Sequence, residues 1–161
     1  MFQISRRADY AVRLMLELGL SGEGATVPVH QIARRTGIPK AFLHKITADL
    51  VKVGLVQTFA GSGGGVMLGR PLKQINMLQI IEAADGSVCL NICLLRPHEC
   101  PRDQICSAHT TWGRLQTLIT QELEAVTLIK LVAEARQYRK TPNTNPNVPY
   151  LSLKNQVVNG S

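Results

Sequence analysis

The sequence predicts a mainly α-helical chain with a small β-hairpin wing, a winged helix-turn-helix followed by a long C-terminal dimerisation helix. Three observations carry that expectation. Two amphipathic helical patterns meet at Thr36-Gly37-Ile38-Pro39, two short apolar segments flank Gly61-Ser62-Gly63-Gly64-Gly65, and an apolar stripe of helical period runs from Trp112 to Leu123. Two helices joined by a tight glycine turn make a helix-turn-helix, and a hairpin directly after it makes a wing. A chain of 161 residues suits one domain with an appended oligomerisation element, which excludes large multidomain enzymes.

In chain order, Ser5 precedes Tyr10, Leu14 and Leu18, with Ala11 and Met15 between them, at helical spacing, and Gly19, Gly22 and Gly24 are expected to end that pattern. A short basic helix follows over 30–36, with Ile32 and Ala33 inward, Arg34 and Arg35 outward and Gly37 as its stop. Pro39 suits a first helical turn, so the next helix is expected to run to Val53, with Phe42, Leu43, Ile46, Leu50 and Val53 on its apolar face and Gly54 beyond it. Segments 55–59 and 66–68 form the hairpin, and a further short helix covers about 76–84 before Gly86. Segment 87–106 contains Pro97 and Pro101 with little periodicity and reads as a loop. The long helix from Ser107 to about Ala125 carries Trp112, Leu115, Leu118, Ile119 and Leu123 as its stripe, favoured as a dimer seam because helix-turn-helix proteins commonly read palindromic sites as dimers. Thr127 opens a last short helix through Glu134, and the Pro- and Asn-rich tail is expected to be disordered.

Lys and Arg number 18 against 11 Asp and Glu, giving a net charge of +7, and ten of the cations but only four of the acids fall in residues 1–73. A basic surplus of this kind favours an acidic partner, and double-stranded DNA fits the helix-turn-helix. With only 4% aromatic residues, groove and phosphate contacts fit better than base-stacking platforms. Arg34, Arg35, Lys40, Lys45 and Lys52 lie on or beside the second and third helices, and Lys40, Ala41, His44 and Lys45 stand near the start of the third, placed to reach base edges. Glycines at the wing tip let backbone N–H groups approach a phosphate, which adds Ser62, Gly63 and Gly64 as candidates, with Arg70 at the base of the hairpin. The glycine run lacks a Gly-Lys-Ser/Thr ending and opens no helix, so no nucleotide cofactor is expected. No apolar stretch is long enough to span a membrane, and Arg6, Arg7, Arg13 and Glu17 interrupt any signal-peptide core, so a cytoplasmic chain is expected.

Cys89, Cys93, Cys100 and Cys106 all fall in one short segment, with His109 three residues after the last. Clustered thiols in such a chain favour a metal or redox site over structural disulfides. Thiolates bind soft metals and iron–sulfur clusters, and a histidine one turn into the following helix can complete four ligands. The spacing matches neither a zinc ribbon nor a ferredoxin run, which ranks an iron–sulfur cluster first, zinc second and a thiol–disulfide switch third. No cofactor fingerprint or convergent acid–base set suggests an enzyme; an electron-transfer protein is the alternative from a different class.

Arg7-Ala8-Asp9-Tyr10-Ala11-Val12-Arg13, Gly37-Ile38, Gly54-Leu55-Val56, Gly63-Gly64-Gly65 and the Cys106-x2-His109-x2-Trp112 entry into the long helix occur in an order that resembles the Rrf-two family of winged-helix transcriptional regulators, over about residues 1–135. The resemblance implies a dimeric repressor or activator whose DNA affinity depends on a bound cluster sensing redox, nitric oxide or iron status. By the same resemblance Cys93, Cys100 and Cys106 are the cluster ligands to iron. An IscR-like site would add His109 and favour 2Fe-2S; an NsrR-like site would add Asp9 of the partner subunit and favour 4Fe-4S. Cys89 is a lesser candidate for the fourth position. Two departures stand out: the gap between Cys93 and Cys100 is six residues rather than five, and the wing tip reads Ala60-Gly61-Ser62 where the family often carries Arg-Gly-Pro. The resulting division is a winged-helix DNA-binding domain over 1–85, a cluster-binding loop over 86–106, dimerisation and terminal helices over 107–135, and the tail over 136–161.

Overall fold

The computed structural model describes residues 3–96 and 99–140, with the backbone alone at Asp103. Pro97 and the tail beyond Lys140 lie outside the described residues. Helix α1 (Arg6–Ser21) begins at Ser5, whose hydroxyl accepts from the Ala8 N–H, satisfying one of the donors that a helix start leaves open. Its Ala8, Ala11, Leu14, Met15 and Leu18 recur at three- and four-residue intervals and are all buried. Gly19 does not end this helix, contrary to the expectation: it lies inside it, facing Leu72, Leu128 and Val132.

Helix α2 (Val29–Thr36) stops at Gly37, whose φ of 71° and ψ of 10° place it in the left-handed region. The Thr36 hydroxyl donates to the Ile32 carbonyl and accepts from the Ile38 N–H, which fixes the turn into α3 (Lys40–Lys52). Leu43, Ile46, Thr47 and Leu50 form the buried face of α3. Phe42 and Val53 fall off that face and are exposed, a correction to the apolar stripe expected from spacing. Phe42 instead meets Tyr10 edge to face, with ring centroids 5.7 Å apart.

The wing is the antiparallel pair β1 (Val56–Phe59) and β2 (Gly65–Leu68), in the register Val56 to Leu68 and Phe59 to Gly65. A single bridge from Val27 to Val66, with N–H to O distances of 2.8 and 2.9 Å, adds an unexpected third partner just before α2. Gly65 is required there by close approach, since a Cβ would collide with the Val27 carbonyl. A 3-10 turn at Leu72–Gln74 leads to α4 (Met77–Asp85), which opens on a reciprocal capping box: Asn76 accepts from the Gln79 N–H at 2.9 Å and Gln79 accepts from the Asn76 N–H at 3.1 Å.

Beyond Gly86 the cysteine segment contains one helical turn, α5 (Ile92–Leu95), and a 3-10 turn at Asp103–Ile105 before α6 (Ser107–Ala125). The last helix, α7 (Leu128–Lys140), runs past Glu134. A bridge between Asn76 and Thr127 pins the α6–α7 junction to the start of α4. One core gathers α1, α3, α4, the inner wing face and the start of α7, where Leu128 and Val132 are buried. Each fully buried Leu or Ile contributes roughly 1.5–3 kcal/mol against exposure. Helix α6 buries none of its residues fully, and Trp112, Leu115 and Leu118 are exposed along it.

Candidate nucleic-acid interface and cysteine segment

The buried face of α3 dictates its outer face. With Leu43, Ile46 and Leu50 inward, Lys40, Ala41, His44, Lys45 and Ala48 stand exposed. Beside them, the start of α2, the outer part of α3 and the wing enclose an open groove of about 680 Å³ lined by His30, His44, Ala48, Val51, Phe59 and Ser62, among others. His30, Ala48, Val51 and Phe59 were not singled out by spacing alone. The helical repeat from His44 would have supplied Ala48 and Val51, but His30 and Phe59 reach the groove only through tertiary packing. Ser62 and Gly63 are exposed at the wing tip, with Gly64 half-buried against the backbone of Phe59 and Ala60.

The nominated cations separate by what they touch. Lys40 and Lys45 have no hydrogen-bond or ion-pair partner among the described residues, nor does Arg34. Arg35 Nη1 donates to Glu17 Oε1 at 2.9 Å. Lys52 Nζ lies 3.2 Å from Asp49 Oδ1, and Arg7 binds the other carboxylate oxygen, tying α1 to α3. That hydrogen bond from Arg7 is the main reason the Asp49 carboxyl titrates below the ordinary aspartate range; Lys52 adds to it and burial opposes it. Arg70 lies below the wing, where its Nη2 donates to the Val53 carbonyl at 2.6 Å and covers an open acceptor at the end of α3.

All four cysteines are free thiols and half-buried. Cys93 sits in the α5 turn, Cys100 in the following bend and Cys106 at the residue that caps α6. The Cys89 thiol donates to the Asn91 carbonyl at 3.0 Å. Gln116 fastens the segment to α6: its Oε1 accepts from the Leu90 N–H at 2.9 Å and its Nε2 donates to the Val88 carbonyl at 2.6 Å. No spacing rule predicts this clamp. His109 is in the first turn of α6, and Asp9 is on the outer face of α1, paired with Arg13 at 2.7 Å.

Three soft thiols on one surface segment suit an iron–sulfur cluster in donor chemistry. Among the described residues, no three of His, Cys, Asp and Glu stand together closely enough to hold a metal ion. None of the described helices is long and apolar enough to cross a membrane.

A helix-turn-helix with a hairpin wing and a cationic outer face defines the class of winged-helix DNA-binding transcriptional regulators. Residues 4–134 match the Rrf2 family, iron-dependent transcriptional regulator, and the chain belongs to that family. It is 35% identical over 130 residues to the HTH-type transcriptional regulator IscR of Pectobacterium atrosepticum, covering 81% of this chain and 79% of the relative. The IscR of Xenorhabdus nematophila is 31% identical over 154 residues, covering 89% and 93%. Among solved structures, CymR, the global cysteine regulator of B. subtilis, superposes with a TM-score of 0.70 at 24% identity, covering 83% of this chain and 98% of that one. T. potens IscR gives 0.69 at 24% identity, covering 86% and 91%. These two likenesses establish the fold.

Proposed function

We propose that this protein is a dimeric, cytoplasmic transcriptional regulator whose operator binding is controlled by an iron–sulfur cluster on Cys93, Cys100 and Cys106. The observation that carries the reading is the junction at Cys106: the thiol segment runs without a break into α6, along which Trp112, Leu115 and Leu118 lie exposed. A second copy of the chain is the occupant of that stripe. The fourth ligand is His109 or Asp9 of the partner subunit, with Cys89 as the lesser candidate.

Bound there, a cluster supplies a group that reacts with oxidants and nitric oxide and is lost when iron is scarce. The chain's own residues carry the consequence to DNA. Gln116 couples the segment to α6, α6 packs on α4, and α4 packs on both α1 and the recognition helix α3. In a dimer, a shift of α6 changes the separation of the two recognition helices, and half-site spacing is what such dimers read. Arg34, Lys40 and Lys45 supply phosphate contacts, Ala41 and His44 face base edges, and Ser62 to Gly64 bring the wing tip to the backbone.

Absorption and Mössbauer spectra with iron and sulfide counts on anaerobically purified protein test the cofactor, alongside DNA binding by holo and apo protein. A 2Fe-2S signature favours His109, and 4Fe-4S favours Asp9 of the partner subunit. Equal affinity and selectivity in both states sinks the switch. Stoichiometric zinc without iron moves the reading to a zinc regulator, and redox turnover without DNA binding to an electron carrier.

A further inference from the structure

Glu17 is a buried acid in the described core, its side chain only 7% exposed. Its two oxygens face two different helices: Oε1 accepts from Arg35 Nη1 of α2 at 2.9 Å, and Oε2 lies 3.6 Å from Arg139 Nη2 of α7. The other terminal nitrogen of Arg35, Nη2, reaches Gln31 Oε1 at 3.4 Å. Both tips of the Arg35 fork are therefore turned onto the protein. Arg34, its neighbour in sequence, is exposed as Arg35 is, but has no such partner among the described residues. Two adjacent arginines that look equivalent in the sequence thus have opposite uses.

A buried carboxylate left without its cation is strongly destabilising, so Arg35 cannot leave Glu17 for a phosphate without cost to the fold. Helix α2 packs on α1 and α3, and its seat sets the turn that presents the recognition helix. We propose that Glu17 is a positioning residue for operator binding: it holds Arg35 away from the duplex, locks α2 onto α1 and α7, and leaves Arg34, Lys40 and Lys45 as the phosphate contacts of the helix-turn-helix. The inference rests on the DNA-binding reading above. Through Arg139 it also makes α7, the helix that follows α6, part of the mount for the DNA-reading unit.

The test is the salt dependence of binding to a mixed-sequence DNA duplex by the full chain, since the slope of log Kobs against log salt counts the phosphates neutralised, about 0.9 per contact. Arg34→Gln is expected to lower the slope by about 0.9 for each copy bound. The double variant Glu17→Gln with Arg35→Gln removes the charges together and leaves none buried and unpaired. Its line is expected to run parallel to that of the wild type at weaker affinity. Arg35→Gln alone is expected to lower the unfolding midpoint, and adding Glu17→Gln to recover part of it. A double variant whose slope falls as that of Arg34→Gln does, or whose line coincides with the wild type's, overturns the proposal, as does Arg34→Gln with an unchanged slope. A wild-type chain that binds no duplex overturns the DNA-binding reading and this inference with it, a pattern distinct from the others.

Discussion

Gly19 shows how one atom can decide a packing contact. A Cβ at this position would stand 2.6 Å from Val132 Cγ2 and 3.1 Å from Leu72 Cδ2. Val132 is branched at Cβ and buried, so it has little room to turn aside. Gly19→Ala is expected to destabilise the protein by about 1–3 kcal/mol, despite the better helix propensity of alanine, and thermal unfolding reads the loss. Asp49 makes a different residue-scale prediction. Its carboxyl titrates lower in the folded chain than in the unfolded one, chiefly because Arg7 donates to it. The stabilisation is therefore complete above the ordinary aspartate range and is lost as pH falls below about 4 toward the depressed value. In Asp49→Asn, the part of the acid-side fall in unfolding free energy that this carboxylate causes should disappear, as urea titrations across that range would show.

At the scale of elements, the cysteine segment depends on its anchor more than on its own regularity. Its described residues hold one helical turn and one 3-10 turn between α4 and α6, and the Gln116 side chain supplies two hydrogen bonds to its backbone. Removing that side chain leaves the Leu90 N–H and the Val88 carbonyl without this partner. Gln116→Ala is expected to cost about 1–3 kcal/mol locally and to speed amide exchange at Leu90 with little change in α1. Unchanged exchange at Leu90 would show that the segment is held by other means. The recognition helix is anchored differently: Arg70 covers the Val53 carbonyl at its end, and Asp49 ties it to α1.

For the whole molecule, the exposed stripe of α6 predicts the assembly. Placing charges in the seam with Leu115→Glu and Leu118→Glu is expected to give a monomer in sedimentation and to weaken operator binding by about a hundredfold or more, because two linked half-sites become two independent ones. A dimer that survives both changes would move the interface elsewhere. The cysteines and the core residues of the winged helix are untouched by this pair, so thermal unfolding of the winged helix should remain cooperative.

The sequence by itself determined the helix-turn-helix, the wing and the long helix, because each is written in local patterns: a left-handed glycine stop at Gly37, a glycine hairpin between apolar segments, and helical periodicity on either side. The same local reading placed Gly19 at a helix end and Phe42 and Val53 in the core, since a glycine mid-helix and an apolar residue one step off the stripe look alike until the neighbours are known. It also nominated Arg34 and Arg35 together, along with Lys52 and Arg70. Lys52 meets Asp49 three residues away on its own helix, but only the tertiary structure set Arg35 and Arg70 apart from Arg34, because their partners are brought beside them from a distant part of the chain. Glu17 lies a helix away from Arg35, and Val53 lies across the wing from Arg70. Charge and periodicity are properties of the string, whereas partnership between charges is a property of the packed chain.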